Sequence, residues 1–304
     1  MSARIRGILV CASLAAALGA PVLAQDWDKL PVRTVKVTDQ ISMLIGAGAN
    51  IGVSIGADGV LLVDNGFVQQ SAKVKAAVAA LDPRPVKIAL NTNWHIDHAD
   101  SNGVFAAGGA VVMAHRKSRP HMLVEQRITE LDPALVVPPC KPEALPAVTI
   151  TEPTTIYFNG DEIAVIHVPT AHSDGDLAYY FRKANVLFTG DLLFPTSIPF
   201  IHFTGGGTVA GMIRAADRIL TVVNDQTKII PGHGPVSAIA DVRAARELLI
   251  TVRDRIQALV NAGRTAEEVV AANPLQDLYK RRESVPPERF ARLVYEDLKK
   301  VGRK

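Results

Sequence analysis

An unbroken apolar run, VKIALNT (residues 86–92), passes directly into NWHIDH (93–98), which sets His95, Asp97 and His98 within four positions. A continuous apolar strand is buried on both faces, and the loop at its end is where a rigid scaffold presents functional groups. The pattern returns three times. His172 follows AVIHVPTA (164–171), Asp191 ends NVLFTGD (185–191), and His233 lies in KIIPGHG (228–234). Four such segments, each flanked by glycine or aspartate, are too many to arise together by chance. Their imidazoles and carboxylates suit a borderline-soft divalent ion, zinc above all. Zinc with an open position lowers the pKa of bound water from ~15.7 to about 7, and an aspartate such as Asp191 can bridge two ions. His115, His121, His167 and His202 lack such framing and read as structural, although PFIHFTGGG around His202 can line a cleft.

The first 24 residues stand apart. Arg4 and Arg6 precede an apolar run from Ile8 to Leu18, and VLA (22–24) offers a small residue before Gln25. This is a secretory signal with cleavage expected after Ala24, placing the protein in the periplasm or outside the cell. A membrane span needs about 20 apolar residues, and Gly19 and Pro21 break this run. Losing the two arginines lowers the net charge from +3 to +1, so nothing points to nucleic acid or an anionic membrane surface. Cys140 is then the sole cysteine, a half-buried loop residue without a disulfide partner.

Along the chain, strands are expected at 32–37, 41–46, 50–56 and 60–66, a helix at 71–81, and strands at 86–92 and 110–115. A helical stretch follows near 117–130. Five prolines make 131–146 a surface connection. Strands resume on both sides of Asn159-Gly160 and at 176–182 and 185–191. A helix covers 208–223, a strand 227–235, a long helix 241–262, with two shorter helices behind. Strands then helix, twice over, describe an α+β chain of two sheets packed face to face with helices outside.

NWHIDH, TAHSDGD, LFTGDLLF and IIPGHGP together resemble the metal-binding motifs of the metallo-β-lactamase superfamily, in order and over about residues 32–260. The resemblance implies an αββα sandwich of two mixed β-sheets with a metal site on their shared edge. It implies a domain at 25–262 and a C-terminal helical extension at 263–304 packed on it. By position, His95 and His172 would hold a first ion and Asp97, His98 and His233 a second, with Asp191 between them. Asp97 or Asp191 would orient a metal-bound hydroxide and accept its proton, while Ser173 and Asp174 would support the His172 imidazole.

The departure is Asn93, which stands where the family motif has its first histidine. A neutral amide oxygen is a weaker zinc donor than imidazole. Asn93 then ligates weakly, leaves the enzyme with one ion instead of two, or donates a hydrogen bond to substrate or Asp191. One narrow carbapenem-hydrolysing subclass has asparagine here, but with cysteine where this chain has Asp191. The leading expectation is a zinc hydrolase cleaving an ester, lactone, amide or related bond in a small molecule. The alternatives are a mono-zinc β-lactamase, an iron-dependent sulfur oxidoreductase of the same fold, and a non-catalytic binding protein. Oligomeric state is left open.

Overall fold

The computed structural model describes residues 26–301 apart from 152, 280–282 and 284. The expected signal segment lies outside the described residues. The chain first lays down β1 (Arg33–Lys36), β2 (Ile41–Ile45), β3 (Ile51–Gly56) and β4 (Gly59–Val63), each antiparallel to the one before. After α1 (Ser71–Leu81), β5 (Val86–Leu90) joins β4 in parallel. Two short helices, α2 (Ile96–Ala99) and α3 (Asn102–Ala107), lead to β6 (Val111–His115), parallel to β5. After α4 (Ser118–Met122), β7 (Gln126–Ile128) and β8 (Leu135–Val137) form a separate hairpin, and β9 (Val148–Ile150) closes the seven-stranded sheet beside β6.

The second sheet has five strands in sequence order: β10 (Thr154–Phe158), β11 (Asp161–His167), β12 (Leu177–Phe181), β13 (Val186–Gly190) and β14 (Lys228–Pro231). The last pair is parallel and the rest antiparallel, so both sheets are mixed. Helix α5 (Val209–Leu220) bridges β13 and β14, and α6 (Ile239–Asn261), α7 (Ala266–Ala272) and α8 (Pro287–Val301) follow. No helix among the described residues is long and apolar enough to cross a membrane.

Side-chain alternation builds the layers. In β4, Leu61 and Val63 face the other sheet, where they meet Ile163, Tyr179 and Phe188. Val60 and Leu62 turn the other way, onto Val74 and Val78 of α1 and Phe105 of α3. In β12 and β13, Ala178, Tyr180 and Leu187 point outward onto Met212 and Ile219 of α5 and Val252 and Ile256 of α6. Both strand faces are therefore covered, which is why β4, β12 and β13 are buried at every position. The sheets approach closely: a Cβ on Gly52 would sit 2.2 Å from the Phe188 ring. This is the expected αββα sandwich.

The stretch near 117–130 departs from expectation. Its helix is the single turn α4, after which Gln126 Nε2 donates to the His121 carbonyl at 2.8 Å and the chain turns into β7. Ile128 buries its side chain there and pairs with Leu135, so the proline-rich seam contributes a strand where a plain connection was expected. Phe290, Ala291 and Val294 of α8 share one apolar cluster with α5 and α6. Arg289 of α8 donates to the carbonyls of Glu130 (2.8 Å) and Leu131 (3.2 Å), and buried Glu130 in turn accepts from Thr204 N at 2.7 Å.

His115 and His167, at the ends of β6 and β11, stack with centroids 3.9 Å apart. Burial, then His167 and the nearby Lys117, pushes His115 down to about 4, with Asp174 opposing; burial also lowers His167. The unfolded chain then binds protons more readily than the fold between pH 6.5 and about 4, so stability falls as pH drops through that window. Metal-free protein is expected to lose roughly 1 kcal/mol through His115 between pH 7 and pH 5, after allowing for solvent screening. Thermal unfolding of His115→Phe against wild type checks this. An equal acid-side loss in both would show that the pair is not the cause.

Candidate metal centre

Four strand ends converge on one edge of the sandwich. The end of β5 supplies Thr92 and Asn93, His95 precedes α2, and α2 carries Asp97 and His98. His172 follows β11, Asp191 follows β13 and His233 follows β14. Close approach is paid for in glycine. Gly190, at φ +50°, passes so near Thr92 that a Cβ would lie 2.3 Å from its Oγ1, and a Cβ on Gly232 would lie 2.2 Å from Asp191 Oδ1.

The six residues form two groups. Ring and carboxylate atoms of His95, His172 and Asp191 lie within 4.8 Å of one another, as do those of Asp97, His98 and His233. Asp191 faces both groups: its Oδ2 is 3.3 Å from His172 Nε2 and 3.1 Å from His98 Nε2, and its Oδ1 is 3.5 Å from His233 Nε2. Asp97 Oδ2 lies 3.1 Å from His233 Nε2.

Partners behind the rings decide which nitrogen is free. His172 Nδ1 faces the Phe200 carbonyl at 2.9 Å. A carbonyl only accepts, so the proton sits on Nδ1 and the Nε2 lone pair points into the cluster. His98 Nδ1 lies 2.9 Å from Asp64 Oδ2, and Thr92 Oγ1 donates to the same carboxylate at 2.7 Å. The His98 Nε2 lone pair is thereby turned toward Asp191. Buried His98 Nε2 and Asp191 Oδ1 both lack a hydrogen-bond partner. An imidazole nitrogen set against carboxylate oxygens is the arrangement a cation stabilises, a proton in the absence of an ion and a metal ion when one binds in its place, so these residues fit a metal ion.

The electrostatics agree. Burial opposes charge on His98, yet Asp191, Asp97 and Asp64 hold its imidazole well above the usual histidine range. Burial would raise the Asp191 carboxyl, but His98, His172 and His233 hold it well below the carboxylate range. His95 goes the opposite way, lowered by burial and by the imidazoles of His172 and His202.

Asn93 has a defined orientation. Its Oδ1 accepts from the His95 backbone N–H at 2.9 Å, and its Nδ2 donates to Asp191 Oδ2 at 3.3 Å. An N–H can only donate and a carboxylate can only accept, so both partners demand this orientation. The amide shows the cluster a donor.

Two expectations need correction. Asp174 does not reach His172; it pairs with His121 at 3.0 Å and Lys117 at 3.6 Å. Ser173 instead donates through Oγ to Asp176 at 2.6 Å, fixing the turn rather than the ring. His202, set aside as structural, lies 2.9 Å from His95 Nε2. Asp64 was also missed, though it ends the apolar strand VLLVD as Asp191 ends its own.

Phe194 lies over His233 with centroids 6.1 Å apart, and Phe200 is 5.8 Å from His172 and 6.2 Å from His95. Both phenyl rings are half-buried beside the donors.

The chain is 36% identical over 106 residues to an uncharacterized protein of Aquifex aeolicus, covering 35% of this chain and 48% of that one. It is 24% identical over 210 residues to the acyl-coenzyme A thioesterase MBLAC2 of Gallus gallus, covering 62% and 73%. The chain thus spans about half the length of the Aquifex relative and most of the Gallus one. A metallo-beta-lactamase from Pontibacter korlensis superposes with a TM-score of 0.60 at 17% identity, covering 72% of this chain and 99% of that one. The DIM-1 metallo-beta-lactamase gives 0.59 at 18% identity, covering 73% and 98%. Residues 46–233 match the family model of the metallo-beta-lactamase superfamily. That span opens before the first sheet is complete and closes on His233, enclosing every donor just described, and so the chain belongs to the metallo-beta-lactamase superfamily.

Proposed function

We propose that the protein is a zinc-dependent hydrolase that cleaves an ester, lactone, amide or related bond, thioesters included, in a small molecule. The observation that carries this is the pair of donor groups meeting at Asp191, with the His98 and His172 lone pairs turned inward. Asp97, His98 and His233 would hold one ion, and His95 and His172 a second, with Asp191 common to both. Bound zinc supplies Lewis acidity, bringing the pKa of water close to neutral. Asp97, less buried than Asp191, would orient the attacking water and take its proton at Oδ2. Phe194 and Phe200 exclude water and favour an apolar group next to the scissile bond. The thioesterase relative supports the ester-type reading.

Asn93 makes the two positions unequal. Its oxygen is engaged by the His95 N–H, so among the described residues the His95–His172 position has only Asp191 as a further protein donor. Asn93→His is expected to tighten the weaker zinc position by at least about tenfold, the lower bound for outer partners of metal ligands. Zinc titration followed by calorimetry checks this; unchanged affinities would show that the amide is not what limits the site.

The function itself is tested on a panel of β-lactams, lactones, thioesters and phosphodiesters, before and after chelation. Turnover should vanish on chelation and return with zinc. Turnover indifferent to chelator would refute the proposal. Carbapenem hydrolysis alone would favour the mono-zinc β-lactamase reading, which Asn93 supports and Asp191 opposes. Export is supported by the apolar run 8–18, and N-terminal sequencing of the secreted protein should begin at Gln25.

A further inference from the structure

His95 differs from the other inward-facing rings. His172 and His98 are each backed by an oxygen that can only accept, which settles where their protons sit. His95 has imidazoles on both sides: its Nε2 is 2.9 Å from His202 Nδ1 and its Nδ1 is 3.0 Å from His172 Nε2. An imidazole nitrogen can donate or accept, so His95 has two self-consistent states. In one, Nδ1–H donates to the lone pair of His172 Nε2, and the two rings satisfy each other and block the ion. In the other, Nε2–H donates backward to His202, and the Nδ1 and His172 Nε2 lone pairs face each other 3.0 Å apart, a state completed by a cation between them.

We infer that His202 is a positioning residue: by presenting an accepting Nδ1 it holds His95 as the Nε2–H tautomer and keeps His95 Nδ1 available to a metal ion. The inference rests on the metal-binding reading proposed above.

The surroundings of His202 are built to hold that ring. Its backbone N–H donates to the His172 carbonyl at 2.9 Å, tying the two ligand-side loops together. Its own carbonyl accepts from Gly205 N at 3.0 Å and Gly207 N at 2.8 Å. A Cβ on Gly205 would come 2.6 Å from His202 Nδ1, so only glycine leaves room for the ring there. Trp94 packs against His202 with centroids 5.0 Å apart, and the residue is 2% exposed. Two residues on, Thr204 is anchored through its N–H and Oγ1 to Glu130, whose carbonyl is held by Arg289 of α8. The C-terminal helix thus braces the loop that aims His202.

The test compares wild type, His202→Phe and His202→Asn, whose amide oxygen can stand where Nδ1 does. Two-bond proton–nitrogen NMR on the zinc-loaded protein at neutral pH should place the His95 proton on Nε2 in wild type and in His202→Asn. Zinc affinity, measured by competition with a chromogenic chelator, should fall about ten- to a hundredfold in His202→Phe, the range for partners of metal-ligating imidazoles. The Asn variant should keep most of it. A His95 proton on Nδ1 in zinc-loaded wild type, equal zinc affinity in wild type and His202→Phe, or an Asn variant as weak as Phe would each overturn the inference. Should His202→Phe fail to fold, the wild-type tautomer and the Asn variant still decide. Wild type that takes up no zinc would instead overturn the functional reading, and this inference with it.

Discussion

His98→Ala is expected to abolish zinc binding at the Asp97–His98–His233 position and to take turnover down to background. His98 is fully buried and its ring is the hub between Asp64, Asp97 and Asp191. Losing a residue that merely orients a metal ligand costs ten- to a hundredfold in affinity; removing the ligand itself should cost more than about a hundredfold. The metal-free fold should also weaken, by on the order of 2 kcal/mol, because two buried carboxylates lose a charged partner. Asp64 keeps its bonds from Thr92 N and Oγ1, both 2.7 Å, so the chain should still fold. Equilibrium dialysis with zinc, turnover and thermal unfolding check the three parts. Full activity with bound zinc in this variant would sink the assignment of His98.

Gly232→Ala is expected to produce nearly as large a loss of activity with far less loss of stability. Gly232 does not have a positive φ, so alanine is not strained there by backbone conformation. The collision is with the site. The new Cβ would lie 2.2 Å from Asp191 Oδ1 and 3.0 Å from His98 Cε1. The backbone cannot yield easily, since Gly232 N donates to Gly190 O at 2.8 Å and Gly232 O accepts from Asn50 N at 2.7 Å. The carboxylate must swing away from both donor groups. A displacement of about 1 Å at a reacting centre costs on the order of a hundredfold in rate, and the same is expected here. Gly103→Ala, whose Cβ would meet nothing closer than 3.5 Å, serves as the neutral control. Kinetics on both variants, with thermal unfolding alongside, check the contrast. Wild-type turnover in Gly232→Ala would mean Asp191 is not where the chemistry happens.

The convergence of these histidines and aspartates was legible because a site that can hold a metal ion requires particular side chains at strand ends, and residue type together with strand pattern is what a sequence records. The sandwich was legible for the same reason: runs such as VLLV and VLF are apolar at every position only when both faces are covered. What holds the donors was much less visible. His172 is oriented by the Phe200 carbonyl, a group every residue has, so no letter marks it. His202 acts from 107 residues away along the chain. Asp174, two residues after His172 in sequence, was credited with a contact that the turn directs elsewhere, onto His121. The β7–β8 hairpin was missed because three-residue strands show no usable period, and Ile128 looked as much like a helix position as a strand one.

Titration of the metal-free protein with zinc, followed by calorimetry, is the deciding measurement for a two-position metal centre sharing Asp191. Two binding events per chain are expected, separated by at least about tenfold in affinity because Asn93 offers the weaker position a donor and not an acceptor. His98→Ala should lose the tighter one. No zinc binding, or a tight event that survives unchanged in His98→Ala, would contradict that arrangement.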